Sequence, residues 1–527
     1  MPDQLTERLQ LLATGDQSAL LTGIQRGIEK ESLRISRNGK LAQTSHPHAL
    51  GSALTHPHIT TDFSEALLEF ITPTFTDIDQ CLQCLDKVHR FTYPNLDNEL
   101  LWVTSMPCVL QGDDTIPVAQ YGSSNVAAMK TTYRKGLGNR YGRTMQTISG
   151  IHYNFSLPDD LWRSLQQQDY DKRSLQEYKT DSYFKLIRNF RRFSWLLIYL
   201  YGASPAVCKS FLQGNNQHNL QAFDNDSAFL PYGTALRMGD LGYQSSAQEN
   251  LKICYNSLDN YIETLHKAIT NTHPDYEKIG VEADGDYRQL SAALLQIENE
   301  FYSPIRPKRT TRSGETPLGA LKQRGVEYIE VRCIDVNPYL SLGIDADQIR
   351  FIDCFLLYCL FERSPLCDDD DRERINFNLK AMVNRGREPD LQLQTRTGDH
   401  SLSDWANTLL EGIDKVAQQL DTAHGGNSYQ QVCQQQRNKV ADASLTPSAS
   451  ILADMRKQQQ SFSGFTMDLA KQHSKDFLSR PLTAKDLEYF LRKTELSRQQ
   501  QADIEAADNI GFDAYLADYY QQYNQLK

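Results

Sequence analysis

Hydrophobic positions along the chain follow two different spacings, and the balance between them changes near residue 340. Upstream, short segments rich in β-branched and aromatic residues alternate with longer segments whose apolar residues recur at helical spacing. The clearest helical pattern runs over 181–201 and stops at Gly202. The short segments predict strands at 23–34, 66–73, 145–157 and 326–334.

Downstream of residue 340 the strand pattern almost disappears. We predict helices at 346–361, 370–383, 403–420, 428–439 and 483–490, and a polar helical tail with a frayed end from Gln499 onward. The acidic run 368–371 complements a helix dipole, so we interpret it as a solvated helix start and not as a chemical site.

The domain organisation follows from the absence of internal repeats and low-complexity linkers in the sequence. We expect an α+β catalytic body at residues 1–340. A mainly helical part, residues 341–527, is expected to pack on this body, so that the two form one integrated domain.

Composition and charge narrow the class of protein. Apolar residues make up 40% and charged residues 23% of the chain, which is typical of a globular protein. The net charge of −11 argues against nucleic-acid binding, because no basic excess is present to neutralise phosphates. No apolar run approaches the roughly 20 residues of a membrane span, and the first ten residues lack the apolar centre of a signal peptide. A cytoplasmic protein without membrane partners is expected.

The ten cysteines are scattered at irregular spacing and are expected to be reduced. Cys81 and Cys84 form a CxxC pair inside a helical pattern at 77–90. A zinc site would require a second pair of ligands, and none is evident, so core packing is the favoured interpretation. The sequence leaves open any further role of this pair.

Two of the predicted strands carry pairs of carboxylates at strand spacing. In 23–34, alternation places Glu29 and Glu31 on one face, where they repel each other unless a cation lies between them. A metal site and a plain exposed face are both compatible with this segment. In 60–73, Glu65 and Glu69 have the same strand parity, and Glu69 lies among apolar residues, where a carboxylate is costly unless it is paired or metal-bound. Asp62 precedes that strand and could fold over its end.

The other two strands add nitrogen-bearing side chains. His152 shares a face with Asn154, and a lone histidine in a strand is more often a structural hydrogen-bonding group. Glu330 and Arg332 share a face with Tyr328, either as an ion pair or as a metal ligand beside an arginine that grips phosphate. Taken together, these strands present acids, a histidine and an arginine that suit hard cations holding the phosphates of a nucleotide.

The common nucleotide and nucleophile motifs are missing. The chain has no GxxxxGK[ST], no GxGxxG spacing and no serine elbow. Two His-Pro-His triplets, at 46–48 and 56–58, fit turns better than a transition-metal site. The basic segment 306–309 suits either a phosphate contact or a solvated turn, and the sequence leaves both open.

Seven segments of this sequence together resemble the bacterial glutamate–cysteine ligases of the γ-proteobacterial type. They extend over about residues 23–338, and their length and order make the resemblance specific. They read GIQRGIEKESLR, GSALTHPHITTDFSEALLEFITP, VAQYGSSN, NRYGRTMQTISGIHYNFSLP, GASPAVCKSFLQG, ENEFYSPIRPKRTTRSGETP and GVEYIEVRCIDVNP.

The resemblance implies a fold, a reaction and a set of site residues. The expected fold is a curved antiparallel sheet similar to the glutamine synthetase catalytic body, surrounded by helices. ATP would activate the glutamate γ-carboxylate as an acyl phosphate, which the cysteine amine then attacks in the first step of glutathione biosynthesis. The implied metal ligands are Glu29, Glu31, Asp62, Glu69, His152 and Glu330, with Arg332 on the γ-phosphate. The implied substrate pocket contains Phe63, Tyr133, Leu137, Gln146, Arg237, Tyr243 and Tyr302.

The same resemblance implies magnesium as the metal, a monomer, and competition by glutathione. Because imidazole suits transition metals better than magnesium, a ligand at His152 predicts that manganese can substitute. Two alternatives remain at this level: a ligase that joins glutamate to another amine, and a non-catalytic regulator on the same fold. No acid or arginine of the predicted site is lost, which disfavours the regulator.

Overall fold

The computed structural model describes residues 3–14, 17–214, 218–242 and 251–526. Within these ranges the strands, in chain order, are β1 Gln25–Ile35, β2 Ile59–Thr61, β3 Leu67–Ile71, β4 Leu100–Leu101, β5 Ile151–Ser156, β6 Ala206–Cys208, β7 Gln221–Ala222, β8 Ser227–Phe229, β9 Glu282–Ala283, β10 Asp286–Tyr287, β11 Ile305–Lys308, β12 Tyr328–Ile334, β13 Gln392–Thr395 and β14 Gly398–Ser401.

Helices surround the main sheet and make up most of the C-terminal part. Those of the described ranges are α1 Gln4–Leu12, α2 Ile78–Thr92, α3 Asn125–Tyr141, α4 Asp159–Gln168, α5 Leu175–Phe193, α6 Trp195–Tyr201, α7 Leu258–Thr270, α8 Pro274–Ile279, α9 Pro317–Arg324, α10 Ala346–Phe361, α11 Asp369–Arg385, α12 Leu402–His424, α13 Ser428–Ala441, α14 Pro447–Gln458, α15 Phe462–Ser479, α16 Ala484–Ala507 and α17 Phe512–Asn524. None of them is both long and apolar enough to cross a membrane.

An antiparallel sheet forms the centre of the fold, with the strand order β11-β12-β5-β1-β3-β2 and β4 paired to the end of β1. The longest strand, β1, hydrogen-bonds to β3 on one side and to β5 on the other. The α+β class and the antiparallel sheet surrounded by helices, both expected from the sequence, are confirmed.

The two faces of β1 lie in different environments. Ile28 belongs to the main hydrophobic core, and its neighbours at the same parity are also directed into the helical layer. The Arg26 Nε donates to Asp353 Oδ2 of α10 at 2.7 Å, and the Lys30 Nζ lies 2.8 Å from His89 Nε2 of α2. Glu29 and Glu31 therefore lie on the opposite face, as the alternation predicts.

The helix α10 lies at the centre of the helical layer. It is apolar around most of its circumference, and thirteen of its sixteen residues are buried. It packs against α5, α12 and α13, and its N-cap Asp345 accepts a hydrogen bond from the Gln348 backbone N–H at 2.8 Å. Because Asp353 of α10 holds Arg26 of β1, the parts of the chain on either side of residue 340 share one core.

Several local predictions need correction. The pattern at 181–201 forms two helices, α5 and α6, which separate at Ser194. The predicted strand 145–157 begins only at Ile151, after a 3₁₀ turn at Met145–Thr147. The hairpin β13–β14 was not predicted.

The tail from Gln499 onward is helical as predicted, but the expected frayed end is wrong. Leu516 of α17 is buried against Met129 of α3 and its apolar neighbours. The Tyr523 hydroxyl donates to the buried carboxylate of Glu298. The polar composition of the tail concealed this tyrosine-rich contact surface. The acidic run at 368–371 starts α11, as predicted, with Asp368 as the N-cap, but the expected solvated start is wrong at Asp371, which is buried.

We predict that Asp353→Asn lowers the free energy of unfolding by about 3–5 kcal/mol, because it leaves the Arg26 guanidinium buried beside a neutral amide. Both side chains of this ion pair are fully buried, and Asp353 also accepts from the Tyr153 hydroxyl at 2.6 Å. Urea denaturation measures the loss. The control is Asp347→Asn on the same helix, whose side chain is 46% exposed and which should cost less than about 1 kcal/mol. Equal losses in the two variants would contradict the assignment.

Candidate active site

Four adjacent strands bring acidic side chains and a histidine to one face of the sheet. Glu31 of β1 is opposite Glu69 of β3, and Glu29 of β1 is opposite His152 of β5. Glu330 of β12 is opposite Asn154, which also belongs to β5. Register therefore converts residues far apart in sequence into neighbours, because directly paired residues of antiparallel strands project to the same face.

His152 lies between two groups of potential metal ligands. One group contains Glu29, His152 and Glu330, the other Glu31, Glu69 and His152, and within each group the donor atoms lie within 4.8 Å of one another. The His152 Nδ1 is 3.2 Å from Glu29 Oε2, and its Nε2 is 3.7 Å from Glu31 Oε1. Each ring nitrogen therefore faces a different group, and burial lowers the pKa of His152, which favours the neutral ring that coordinates metals.

The two groups differ in how their charge is balanced. Burial opposes ionisation of Glu330, but the Lys308 ammonium and the Arg332 guanidinium hold its pKa well below the usual range. For Glu29, burial also opposes ionisation, and the hydrogen bond from His152 keeps its pKa lowered. This first group therefore carries its own counter-charges.

The second group is only partly compensated, by Arg237 and Arg332 near Glu31 and by Arg134 near Glu69. Burial and the nearby charge of Asp62 raise the pKa of Glu31 to about 8. Burial and the charges of Glu29 and Asp62 raise the pKa of Glu69 well above its usual value. Carboxylates packed together without enough cationic side chains are stabilised in their ionised form by a bound cation.

The donor set fits a hard divalent cation. The two groups offer four carboxylates and one imidazole, and oxygen ligands of this kind are those that magnesium and manganese prefer. Asp62, directly after β2, lies outside both groups, although its charge contributes to the raised pKa of Glu31 and Glu69. Its role as a ligand stays a prediction.

Glu65 has the strand parity of Glu69 but a different environment. Its carboxylate accepts hydrogen bonds from the backbone N–H groups of His46 and Gln120, each at 2.8 Å. It therefore holds two loops in place and does not join either group of potential ligands among the described residues.

Arg332 lies directly beside the first group. Its Nη1 donates to Glu330 Oε2 at 3.1 Å, and the guanidinium carbon lies 6.0 Å from the centre of the Tyr302 ring. Burial disfavours its charge, but the adjacent Glu330 raises the pKa of Arg332, so the guanidinium is always ionised. A fixed planar fork next to carboxylates that suit a metal is an arrangement that suits phosphate oxygens.

The basic segment 306–309 is not a solvated turn, because most of it forms β11. Lys308 Nζ lies 3.3 Å from Glu330 Oε1, so this lysine belongs to the site. Arg306 is buried and donates to the carbonyl of Asn299 at 2.9 Å, and Arg309 donates to the carbonyl of Gly325 at 2.9 Å. The strand spacing of Arg306 and Lys308 is the sequence signal that could have indicated a strand here. In the structure these two positions pair with Glu330 and Tyr328 of β12.

A cavity of about 340 Å³ opens beside this strand. Lys308, Tyr328 and Asn299 are among its lining residues. It therefore borders on Glu330 through Lys308, and its volume lies within the range of small-molecule sites.

The residues predicted for the substrate pocket approach the site from two sides. Arg237 donates from Nη2 to the Arg332 carbonyl at 2.8 Å, and a Cβ at Gly150 would lie only 2.1 Å from the same nitrogen. Tyr302 faces the Arg332 guanidinium. The structure thus brings Arg237 and Tyr302 next to β12.

The other predicted pocket residues lie around α3 and its neighbours. Phe63 is buried directly after Asp62, in the core cluster against which Leu137 of α3 packs. Gln146 is buried in the 3₁₀ turn Met145–Thr147. Tyr133 of α3 packs against the apolar group that includes Leu516. Tyr243 lies outside the described residues.

Other conspicuous motifs have structural roles. The His56 Nδ1 accepts from the His58 and Ile59 backbone N–H groups at 3.1 and 3.0 Å, which supports the interpretation of this triplet as a turn. Burial raises the pKa of Cys81 and of Cys84 to about 11. Both side chains are therefore expected to stay protonated and unreactive at neutral pH. Neither belongs to a potential metal group in the described part of the chain.

Comparison with known proteins agrees with the geometry. The family model for glutamate–cysteine ligase matches residues 9–382. The chain is 50% identical over 521 residues to the glutamate–cysteine ligase of Alcanivorax borkumensis, covering 98% of this chain and 99% of the relative. It is also 50% identical over 519 residues to the enzyme of Pseudomonas aeruginosa, covering 98% of each chain.

Two solved structures resemble the fold. The 2.0 Å crystal structure of glutamate–cysteine ligase from Francisella tularensis in complex with AMP has a TM-score of 0.90 and 38% identity, covering 96% of this chain and 99% of that one. A bifunctional glutathione synthetase from Pasteurella multocida has a TM-score of 0.73 at 23% identity, covering 94% of this chain and 58% of that one, which shows the fold alone. On the strength of the family model and of relatives 50% identical over nearly the whole length, the chain belongs to the glutamate–cysteine ligase family.

Proposed function

We propose that this chain joins the γ-carboxylate of L-glutamate to the amine of L-cysteine through a γ-glutamyl phosphate, giving γ-glutamylcysteine, ADP and phosphate. The observation that carries the proposal is the face of the sheet where the incompletely balanced carboxylates of Glu31 and Glu69 lie near Arg332. Membership of the glutamate–cysteine ligase family supplies the two amino acids, and the AMP bound to the relative from Francisella tularensis supports a nucleotide site.

The chemistry requires activation of the carboxylate, because its oxygen is a poor leaving group. A γ-carboxylate oxygen of glutamate attacks the γ-phosphorus of ATP, and the bond to the bridging oxygen breaks so that ADP leaves with the electron pair. The cysteine amine then attacks the acyl carbon, phosphate leaves with the electrons of the C–O bond, and the amine proton is released. No protein nucleophile is required, so positioning and charge neutralisation carry the catalysis.

Magnesium would be held by the carboxylates and the imidazole of the two ligand groups. The proposed ligands are Glu29, Glu31, Asp62, Glu69, His152 and Glu330. When bound, the metal supplies neutralisation of the phosphate charge. Arg332 is proposed to hold γ-phosphate oxygens with its fork, while its bond to Glu330 keeps the fork oriented.

The nucleotide and the amino acids are proposed to reach this centre from different directions. The cavity beside β11 suits the nucleotide, because Lys308 lines it and also contacts Glu330. Arg237 and Tyr302 would bind amino-acid substrate on the other side of Arg332, together with Phe63, Tyr133, Leu137, Gln146 and Tyr243. Competition by glutathione at this pocket, and action as a monomer, belong to the same proposal.

The substrate assignment is tested by phosphate release with glutamate, ATP and magnesium. We expect release to require cysteine, with γ-glutamylcysteine as the product detected by mass spectrometry. Ammonia in place of cysteine should support little release. Faster release with ammonia than with cysteine would identify a ligase for another amine and would overturn the proposal.

Arg332→Lys is expected to lower kcat by about 10²- to 10³-fold, because an ammonium cannot reproduce the two-pronged contact with phosphate. The fold should be preserved, as judged by the circular dichroism spectrum and the thermal unfolding midpoint. The matched control is Arg173→Lys, which carries the same substitution at a surface arginine that pairs with Asp171 outside the proposed site. Activity of Arg332→Lys close to that of the control would refute the phosphate contact.

A ligand at His152 predicts that manganese replaces magnesium in at least one position and supports turnover, because imidazole suits manganese better than magnesium. His152→Gln should weaken manganese binding, measured by electron paramagnetic resonance of the free ion. His473→Gln is the control, since this buried histidine instead contacts the Pro338 carbonyl at 2.8 Å. Failure of manganese to support any turnover, or unchanged binding in His152→Gln, would remove His152 from the ligand set.

A further inference from the structure

We propose that a second cavity, away from the sheet, binds a small organic anion that carries a flat ring. The cavity has a volume of about 370 Å³, within the range of small-molecule sites. It lies between the end of α5, the first turns of α11, the hairpin β13–β14 and α12. Among the described residues, none of those proposed for the ligase reaction lines it.

The hairpin forms a fixed wall of this cavity. The Asn378 side chain of α11 pairs with the backbone of Gln394 in both directions, accepting from its N–H at 2.7 Å and donating to its carbonyl at 2.8 Å. The turn of the hairpin contains Gly398 at φ +123°, a backbone conformation that favours glycine. The wall is therefore built into the fold by specific bonds.

Arginines outnumber the buried carboxylate at one end of the cavity. Arg192, Arg374 and Arg396 all contact Asp371, with bonds of 3.0 Å from Arg192 and 2.8 Å from each of the other two. The Asp371 side chain is only 4% exposed. Burial disfavours its charge, but its bonds to Arg396, Arg374 and Arg192 hold the pKa of Asp371 far below the usual range.

The remaining acids nearby do not cancel this positive charge. Asp368 lies 3.8 Å from both Arg374 and Arg396, and its side chain is 65% exposed. Asp404 lines the cavity from α12 and is exposed. Three guanidinium groups thus face a single buried acid and two acids that water already screens.

Arg374, which lines the cavity, has donors that its contacts with acids do not use. The hydrogen bonds of Arg374 in the described ranges all leave from Nη2, so Nε and Nη1 remain for another acceptor. Free donors of a cation favour an anionic acceptor, and the guanidinium fork matches carboxylate and phosphate oxygens.

Aromatic and aliphatic side chains line the rest of the cavity. Phe193 and Trp405 meet edge to face with their ring centres 6.4 Å apart, and Ile375 lies on α11 nearby. An aromatic ring of a ligand gains both burial and ring contact against such a wall. The ligand class that satisfies both ends is an aromatic carboxylate or an aromatic phosphate.

The test is calorimetric titration of the full chain with 1-naphthoate and with 1-naphthyl phosphate, in the presence of ADP, magnesium and glutamate so that the ligase site is occupied. We expect one saturable site for at least one of the two anions, and the stronger of them identifies the anionic group. Neutral 1-naphthalenemethanol and ringless acetate should each bind at least about tenfold more weakly. Equal binding of the neutral alcohol, or no binding of either anion at millimolar concentration, would overturn the proposal.

Arg374→Gln should weaken binding about tenfold, the effect of one charge-assisted hydrogen bond, while Asp371 keeps two arginine partners. Arg385→Gln is the matched control on the same helix, because this arginine pairs with Glu388 at the surface. Thr408→Phe, at an exposed position on the rim, should abolish binding by filling the cavity without altering the arginines. Ligase activity and the thermal midpoint report folding. Unchanged binding in Arg374→Gln or in Thr408→Phe would place the anion elsewhere and contradict the assignment.

Discussion

Repulsion among carboxylates on one face of the sheet is the constraint on which the rest of this structure depends. Glu29 and Glu31 are two residues apart on β1, and the register of the neighbouring strands adds Glu69 and Glu330. Such a cluster can persist only where hydrogen bonds fix the backbone and where packing elsewhere in the protein provides the free energy that offsets the repulsion. The long strand β1, paired on both sides, provides the first condition.

The opposite face of β1 provides the second condition. Ile28 is buried in the main core, and the Arg26–Asp353 pair ties the strand to α10. Burial lowers the pKa of Lys30 to about 7, and this lysine contacts His89 instead of an acid. Lys30 is therefore a weak counter-charge for the acids beyond the sheet, and those acids depend on groups on their own face.

The face of the sheet on which a site residue lies could be predicted from the sequence, because side chains alternate along a strand. This alternation placed Glu29, Glu31, Glu330 and Arg332 correctly, because in a strand parity alone decides the face. The position of His152 opposite Glu29 depends on register between strands more than a hundred residues apart, which a single sequence does not specify. Glu65 illustrates the limit, since it has the parity of Glu69 but is bound by two backbone N–H groups outside the site.

The helical part shows a similar division between local and tertiary signals. The bounds of α10 were predicted without error, because its apolar run and its Asp345 cap are local. The contact of Tyr523 with Glu298 was missed, because nothing near either residue in the sequence indicates the other. Hairpin β13–β14 was missed for a related reason: apart from Leu393 its strand residues are polar or glycine, and it is held by the Asn378 side chain of α11.

The two proposed sites apply the same electrostatic rule with opposite signs. On the sheet, Lys308 and Arg332 offset the charge of Glu330, while the raised pKa values of Glu31 and Glu69 show that their ionised forms are incompletely balanced and would be stabilised by a metal ion. Around Asp371 the arginines are in excess, and an anion would complete the balance. In both places the balance between buried positive and negative groups is what indicates a binding site. A balanced set of buried charges needs no further ion, whereas an unbalanced set is stabilised by a bound ligand of opposite charge.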